Sequence, residues 1–167
     1  MKIQEGKIYW AKVKSDAIVP TKRDEDGCYD IYACTDKEEI VIKPHEIVTI
    51  PTGIASAFHH TRRLDFQRER GSTGSVGLVP RCGQVDSGYR GEIFLKMQNT
   101  TNKFIVISKK TNEKFEDAYG VVYPMSKAIC QAALEIVPKD ESEEISYADL
   151  LQIPSERGTG ALGSSNK

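Results

Sequence analysis

The stretch Ile93-Phe94-Leu95-Lys96-Met97-Gln98 decides the fold class. Its apolar residues at 93, 95 and 97 alternate with Phe94, Lys96 and Gln98, and a period of two residues marks a strand with one buried face. Similar short apolar runs flank it: Ile8 to Val13, Tyr29 to Ala33, Ile40 to Ile42, Ile47 to Ile50, Ile54 to Phe58 and Leu64 to Phe66 before it, then Phe104 to Ile107, Val121 to Tyr123 and Ile129 to Val137 after it. Pro, Gly, Asp and charged clusters separate them, the spacing of an all-β chain. Only Ser146 to Ile153 suggests a helix, with Ser146 as N-cap, and extended chain is the alternative there. Many short strands with no strand–helix–strand rhythm favour a barrel or jelly roll, because closing or doubling a sheet removes exposed edges.

The 167 residues are enough for one core and carry a formal charge of −1 with acids and bases interspersed. No broad basic face advertises nucleic acid or an anionic membrane. No apolar run approaches the roughly 20 residues that span a bilayer, and MKIQEGKIYW lacks the apolar segment of a signal peptide, so the expected setting is the cytosol. Cys28, Cys34, Cys82 and Cys130 form no CxxC pair and read as reduced, mostly buried thiols. The adjacent His59 and His60 are expected on opposite faces of a strand and carry no assigned chemistry. Ser108 to Ala118 reads as a solvated loop.

Residues 1–153 are expected to form the β domain and residues 154–167 a flexible arm, since SERGTGALGSSNK has too little apolar surface to offset its ordering entropy. Arg157 followed by Gly158, Gly160, Gly163, Ser164 and Ser165 nevertheless supplies a guanidinium, backbone amides and hydroxyls, the parts of a phosphate wrap. A dispensable end and a lid are both open on composition.

Three further segments share this character: Asp26-Gly27-Cys28-Tyr29-Asp30, Arg70-Gly71-Ser72-Thr73-Gly74 and Gly83-Gln84-Val85-Asp86-Ser87-Gly88-Tyr89-Arg90-Gly91. The second offers amides and two hydroxyls beside a cation, which suits a triphosphate. In the third, Asp86-Ser87-Gly88 has the chemistry of a tight hairpin turn carrying Asp and Tyr at its tip. Backbone N–H and C=O groups there complement the O4 acceptor and N3–H donor of uracil and mismatch cytosine, whose binding would leave buried polar groups unpaired.

These segments, with Ile129-Cys130-Gln131 and Arg157-Gly158-Thr159-Gly160-Ala161-Leu162-Gly163-Ser164-Ser165, resemble in order the five motifs of the trimeric dUTPase family, over Gly27 to Ser165. The resemblance implies a distorted β-barrel or jelly-roll protomer and a homotrimer, with active sites between subunits and the C-terminal arm closing over a neighbour's nucleotide. It implies hydrolysis of dUTP to dUMP and pyrophosphate, which limits uracil in DNA and supplies dUMP for thymidylate synthesis. Asp86 would polarise the attacking water. Tyr89 would pack on the deoxyribose and exclude a ribose 2′-hydroxyl, while the backbone around Gly83 and Val85 would read uracil. Arg70, Gly71, Ser72 or Thr73, Gln131, Arg157, Gly163, Ser164 and Ser165 would hold the phosphates. Mg2+ would ride on the triphosphate, with Asp30 acting through its waters.

The chain departs from the family pattern at several points. Arg-Gly-Ser-Thr-Gly replaces the usual Arg-Ser-Gly, leaving Ser72 and Thr73 as alternatives. Ala128 stands where a basic residue is usual, with Lys127 adjacent, and Cys28 stands for Gly. Leu162 replaces the Phe that stacks on uracil, which forfeits ~0.5–1.5 kcal/mol. The rival readings are a dCTP deaminase-type relative on the same fold and a catalytically idle regulatory barrel.

Overall fold

In the computed structural model, residues 2–68 and 70–160 are described. Thirteen strands and two short helices follow one another among them: β1 (Ile8–Lys12), β2 (Tyr29–Ile31), β3 (Glu39–Ile42), β4 (Ile47–Pro51), β5 (Ile54–Phe58), β6 (Arg62–Arg68), α1 (Gly71–Gly74), β7 (Leu78–Pro80), β8 (Gln84–Asp86), β9 (Phe94–Asn99), β10 (Phe104–Ser108), β11 (Phe115–Glu116), β12 (Gly120–Pro124), β13 (Cys130–Ile136) and α2 (Tyr147–Gln152). The expectations for Leu162, Gly163, Ser164 and Ser165 lie outside the described residues.

The strands form four small sheets, ordered β1-β5, β11-β12-β10-β3, β2-β13-β6-β8 and β4-β9-β7. All pairs are antiparallel except β10 with β12. The result is an all-β distorted jelly roll. Alternation along β9 and the residue before it does what the sequence demands: Ile93, Leu95 and Met97 are buried while Phe94 and Lys96 are exposed. The same rule fills the interior from every sheet, with Ile31, Ile42, Ile50, Leu64, Leu78, Ile105 and Ile107 fully buried in one cluster. Each such side chain contributes roughly 1.5–3 kcal/mol of transfer free energy.

The structure corrects several local expectations. Asp86-Ser87-Gly88 does make a turn, closed by the Tyr89 N–H donating to the Asp86 carbonyl at 3.1 Å. It is not the tip of a paired hairpin, because β8 pairs with β6 while β9 pairs with β4 and β7. His59 and His60 do not face opposite ways. They lie past the end of β5, where the chain turns, and their ring centroids are 4.1 Å apart. The loop from Ser108 contains the two-residue strand β11, exposed at both residues and paired with β12.

The helix expected near Ser146 is α2, and the Ser146 hydroxyl caps it by accepting from the Asp149 N–H at 3.1 Å. From Pro138 to Thr159 every residue is exposed. The exposed run thus begins after Val137, ahead of the arm expected from residue 154. No disulfide joins the four cysteines among the described residues; Cys34 and Cys130 are buried and Cys28 and Cys82 half-buried.

Candidate active site

Antiparallel pairing of β13 with β2 sets Gln131 directly across from Asp30. Arg70, in extended backbone just before α1, reaches the same carboxylate. Its Nε donates to Asp30 Oδ1 at 2.9 Å and its Nη2 to Oδ2 at 3.1 Å, while Gln131 Nε2 lies 3.4 Å from Oδ1. This is the parallel fork that guanidinium and carboxylate geometries favour. The three residues line a cavity of about 610 Å³, roofed by the loop from Thr21 to Cys28. An Arg23–Asp26 ion pair at 2.9 Å pins that loop, and Arg23 holds the Asp26 carboxyl below the usual carboxylate range. Tyr32 stands beside the pair, its phenol pushed up by burial and secondarily by the charge of Asp30.

Ser72 and Thr73 part ways within α1. Thr73 is wholly buried, with its hydroxyl within hydrogen-bonding distance of the carbonyls of Arg70 (3.2 Å) and Ile129 (3.3 Å), so it braces the loop against β13 from inside. Ser72 is exposed, and its Oγ lies 2.9 Å from the hydroxyl of Tyr123. Gly71 is exposed and open, with nothing within 4 Å of an added Cβ. Ala128 is buried and Lys127 exposed.

The third segment surrounds a second cavity, of about 300 Å³, lined by Gln84, Val85, Asp86, Tyr89, Glu92, Ile93 and Phe94. β8 is the edge of its sheet, so half of its backbone groups point away from β6. Val85 packs partly on the core. The Gly83 carbonyl is already engaged, accepting from the Phe66 N–H at 3.3 Å.

Asp86 is exposed and its carboxylate has no hydrogen-bond or ion-pair partner among the described residues. Arg63, its cross-strand neighbour, pairs instead with Glu135 at 3.1 Å. Tyr89 donates its hydroxyl to the Glu92 carbonyl at 2.9 Å, folding over Gly91. A Cβ at Gly91 would come within 2.5 Å of the Tyr89 hydroxyl, so only glycine allows that posture.

Asp30, Arg70 and Gln131 thus meet in one cavity, and Val85, Asp86 and Tyr89 in another. Arg157 lies in neither. Its Nε donates to the Gly160 carbonyl at 2.9 Å, in an exposed turn made possible by Gly158 at φ +54°. Sequence reasoning missed Tyr123, because a tyrosine inside an apolar run reads as core and its hydroxyl partners, Ser72 and Ala128, are set by distant pairing. The Arg23-x-x-Asp26 spacing before Gly27 was the available sign of a pinned loop.

No family model matches the chain. Among curated relatives, the deoxyuridine 5'-triphosphate nucleotidohydrolase of Leptospira interrogans is 30% identical over 104 residues, covering 60% of this chain and 71% of that protein. The enzyme of the same name from Nautilia profundicola is 28% identical over 164 residues, 96% of this chain and 99% of that one. Among solved structures, a variant of the Staphylococcus bacteriophage 80alpha dUTPase with dUpNHpp superposes with a TM-score of 0.73 at 22% identity, covering 96% of this chain and 98% of that chain. A relative at this identity over this share of its length, with the same architecture, leads to one assignment: the chain belongs to the deoxyuridine 5'-triphosphate nucleotidohydrolase, or dUTPase, family.

Proposed function

We propose that the chain hydrolyses dUTP to dUMP and pyrophosphate by in-line attack of water on the α-phosphorus. In this reading it works as a homotrimer whose sites form between subunits. The observation that carries the reading is the convergence of Asp30, Arg70 and Gln131 on one cavity, with Ser72 on the loop beside it. A cation fork, an amide and a hydroxyl beside a carboxylate suit a metal-bound triphosphate. The location of Asp86 and Tyr89 at a different cavity supports the shared site. One protomer then offers the phosphate cleft and its neighbour the base-reading edge and the water-polarising carboxylate.

Asp86 polarises the water, since an exposed carboxylate with no partner among the described residues is ready to accept a proton-bearing ligand. The open edge of β8 around Val85 reads uracil, and the Tyr89 ring packs on the deoxyribose, excluding UTP. Arg70, Gly71 and Ser72 hold the phosphates, while Thr73 acts from the core. Gln131 orients Asp30 and the α-phosphate. Arg157, with Gly163, Ser164 and Ser165, closes the arm over a neighbouring subunit's nucleotide.

Mg2+ fits this cleft as a passenger of the triphosphate. Asp30 is one carboxylate in a wide cavity, and no group of three or more metal-ligating side chains occurs among the described residues, as suits an ion held by phosphates and waters. When bound it neutralises phosphate charge and fixes the geometry for attack. A cytosolic setting agrees with a nucleotide substrate. So does a net charge of −1, which gives no pull toward nucleic acid or membrane. The physiological role is removal of dUTP and supply of dUMP.

Pyrophosphate release, assayed with dUTP beside the common ribo- and deoxyribonucleoside triphosphates, tests the reading. Turnover confined to dUTP is expected. Ammonia release from dCTP would install the deaminase instead, and no turnover at all would leave a regulatory barrel.

A further inference from the structure

Tyr123, near the end of β12, is 1% exposed, yet its hydroxyl makes two polar contacts. It lies 3.1 Å from the Ala128 carbonyl and 2.9 Å from the Ser72 Oγ. A carbonyl only accepts, so the single phenolic proton goes to Ala128. Ser72 must then be the donor to Tyr123. With its one proton turned inward, the exposed Ser72 hydroxyl, two residues past Arg70 of the cleft wall, shows its surroundings only lone pairs. Phosphate oxygens are acceptors too, so a nucleotide cannot be bound by Ser72 as the chain stands.

We infer that Tyr123 is a positioning residue that arms Ser72 by reversing this two-hydroxyl chain. The inference rests on the dUTP-hydrolysing reading above. On nucleotide binding, the Tyr123 O–H turns from the Ala128 carbonyl to the Ser72 Oγ, and the Ser72 O–H turns outward to a phosphate oxygen. Each proton stays on its own oxygen, so no covalent bond changes, and the 2.9 Å contact keeps a proton across it throughout. The Ala128 carbonyl gives up a neutral donor, and the cleft gains a hydrogen bond to an anion, the stronger kind. Donation from Tyr123 also polarises the serine hydroxyl, which makes it a better donor to phosphate. The relay exists because Ala128 presents its carbonyl where Tyr123 can store its proton.

A double-mutant cycle tests this on the full-length protein. Tyr123→Phe keeps the buried ring and should lower kcat/KM for dUTP by about threefold to tenfold, the size of one net hydrogen bond. In a Ser72→Ala background the same change should cost nothing further, because the group it acts through is gone. Equal penalties in both backgrounds would mean Tyr123 serves only the fold, and would overturn the relay. If Tyr123→Phe fails to fold, Ser72→Ala alone decides: it should lose at least that much activity, and a wild-type rate would overturn the relay. A wild-type protein inactive on dUTP would overturn the functional reading and the relay with it, whereas an active wild type with additive penalties overturns the relay alone.

Discussion

Arg70 and Asp30 are joined by two parallel hydrogen bonds, Nε to Oδ1 at 2.9 Å and Nη2 to Oδ2 at 3.1 Å, across the wall of the larger cavity. The two groups expected to meet opposite charges, phosphate for one and hydrated metal for the other, neutralise each other in the free chain. A magnesium triphosphate offers a replacement for each partner at once. Neither the bare metal nor the bare triphosphate does so.

Asp30→Ala should therefore lower kcat/KM by at least about tenfold and raise the Mg2+ concentration needed for half-maximal rate. Both side chains are partly buried, at 29% and 27% exposure, so the pair's loss should cost only about 1 kcal/mol of stability, visible as a small drop in Tm. An unchanged magnesium titration would remove Asp30 from the metal's surroundings.

Asp86 sits at the other cavity and has no carboxylate partner to lose among the described residues. Asp86→Asn should leave the unfolding free energy within the ~0.5 kcal/mol typical of surface changes and lower kcat by orders of magnitude while dUTP binding persists. Mixing the two dead variants tests the shared site. If one subunit supplies Asp30 and its neighbour Asp86, refolding equal amounts of Asp30→Ala and Asp86→Asn chains together should restore about a quarter of the wild-type rate, the fraction of sites receiving both intact groups at random. Light scattering should give about three times the chain mass of 18.6 kDa. No recovery on mixing, or a fully active monomer, would place the whole site in one subunit.

Much of this architecture was legible because β strands advertise themselves by alternation. Ile93, Leu95 and Met97 face inward and Phe94 and Lys96 outward, as their order requires. α2 was legible through its cap at Ser146. Three-residue strands such as β7 and β8 were not, since so few residues cannot establish a period. The turn after Asp86 could be read locally, whereas its strand partners could not, because pairing of β8 with β6 is decided by the core that Leu64 and Val85 share. Within the site, residue types identified Asp30, Arg70 and Asp86 as candidates. That Thr73 turns into the core while Ser72 stays at the surface depends on the Ile129 carbonyl, 56 residues further along the chain.

The run from Pro138 to Thr159 is exposed throughout and buries no core residue. Removing the chain after Pro154 should leave Tm unchanged and yet abolish most dUTP turnover, because Arg157 and the serines beyond it go with it. Thermal denaturation and steady-state rates on the truncated protein check both halves. An undiminished rate would take the arm out of the mechanism.

The Cys34 thiol is pushed up to about 11 by burial and by its hydrogen bond to Asp16, 3.3 Å away. A raised folded value means that the unfolded chain loses this proton first. The native thiol's advantage is intact below the ordinary thiol range and is lost as pH rises from about 9 toward 11. Denaturant unfolding across that window should show stability falling more steeply for wild type than for Cys34→Ala. Identical slopes would mean that Cys34 is not shielded as its surroundings require.

Attack of water on the α-phosphorus of dUTP is read out by running the reaction in 18O-labelled water with Mg2+ and weighing both products. One labelled oxygen is expected in dUMP and none in pyrophosphate. Label in released phosphate or pyrophosphate, or no dUMP at all, would contradict it.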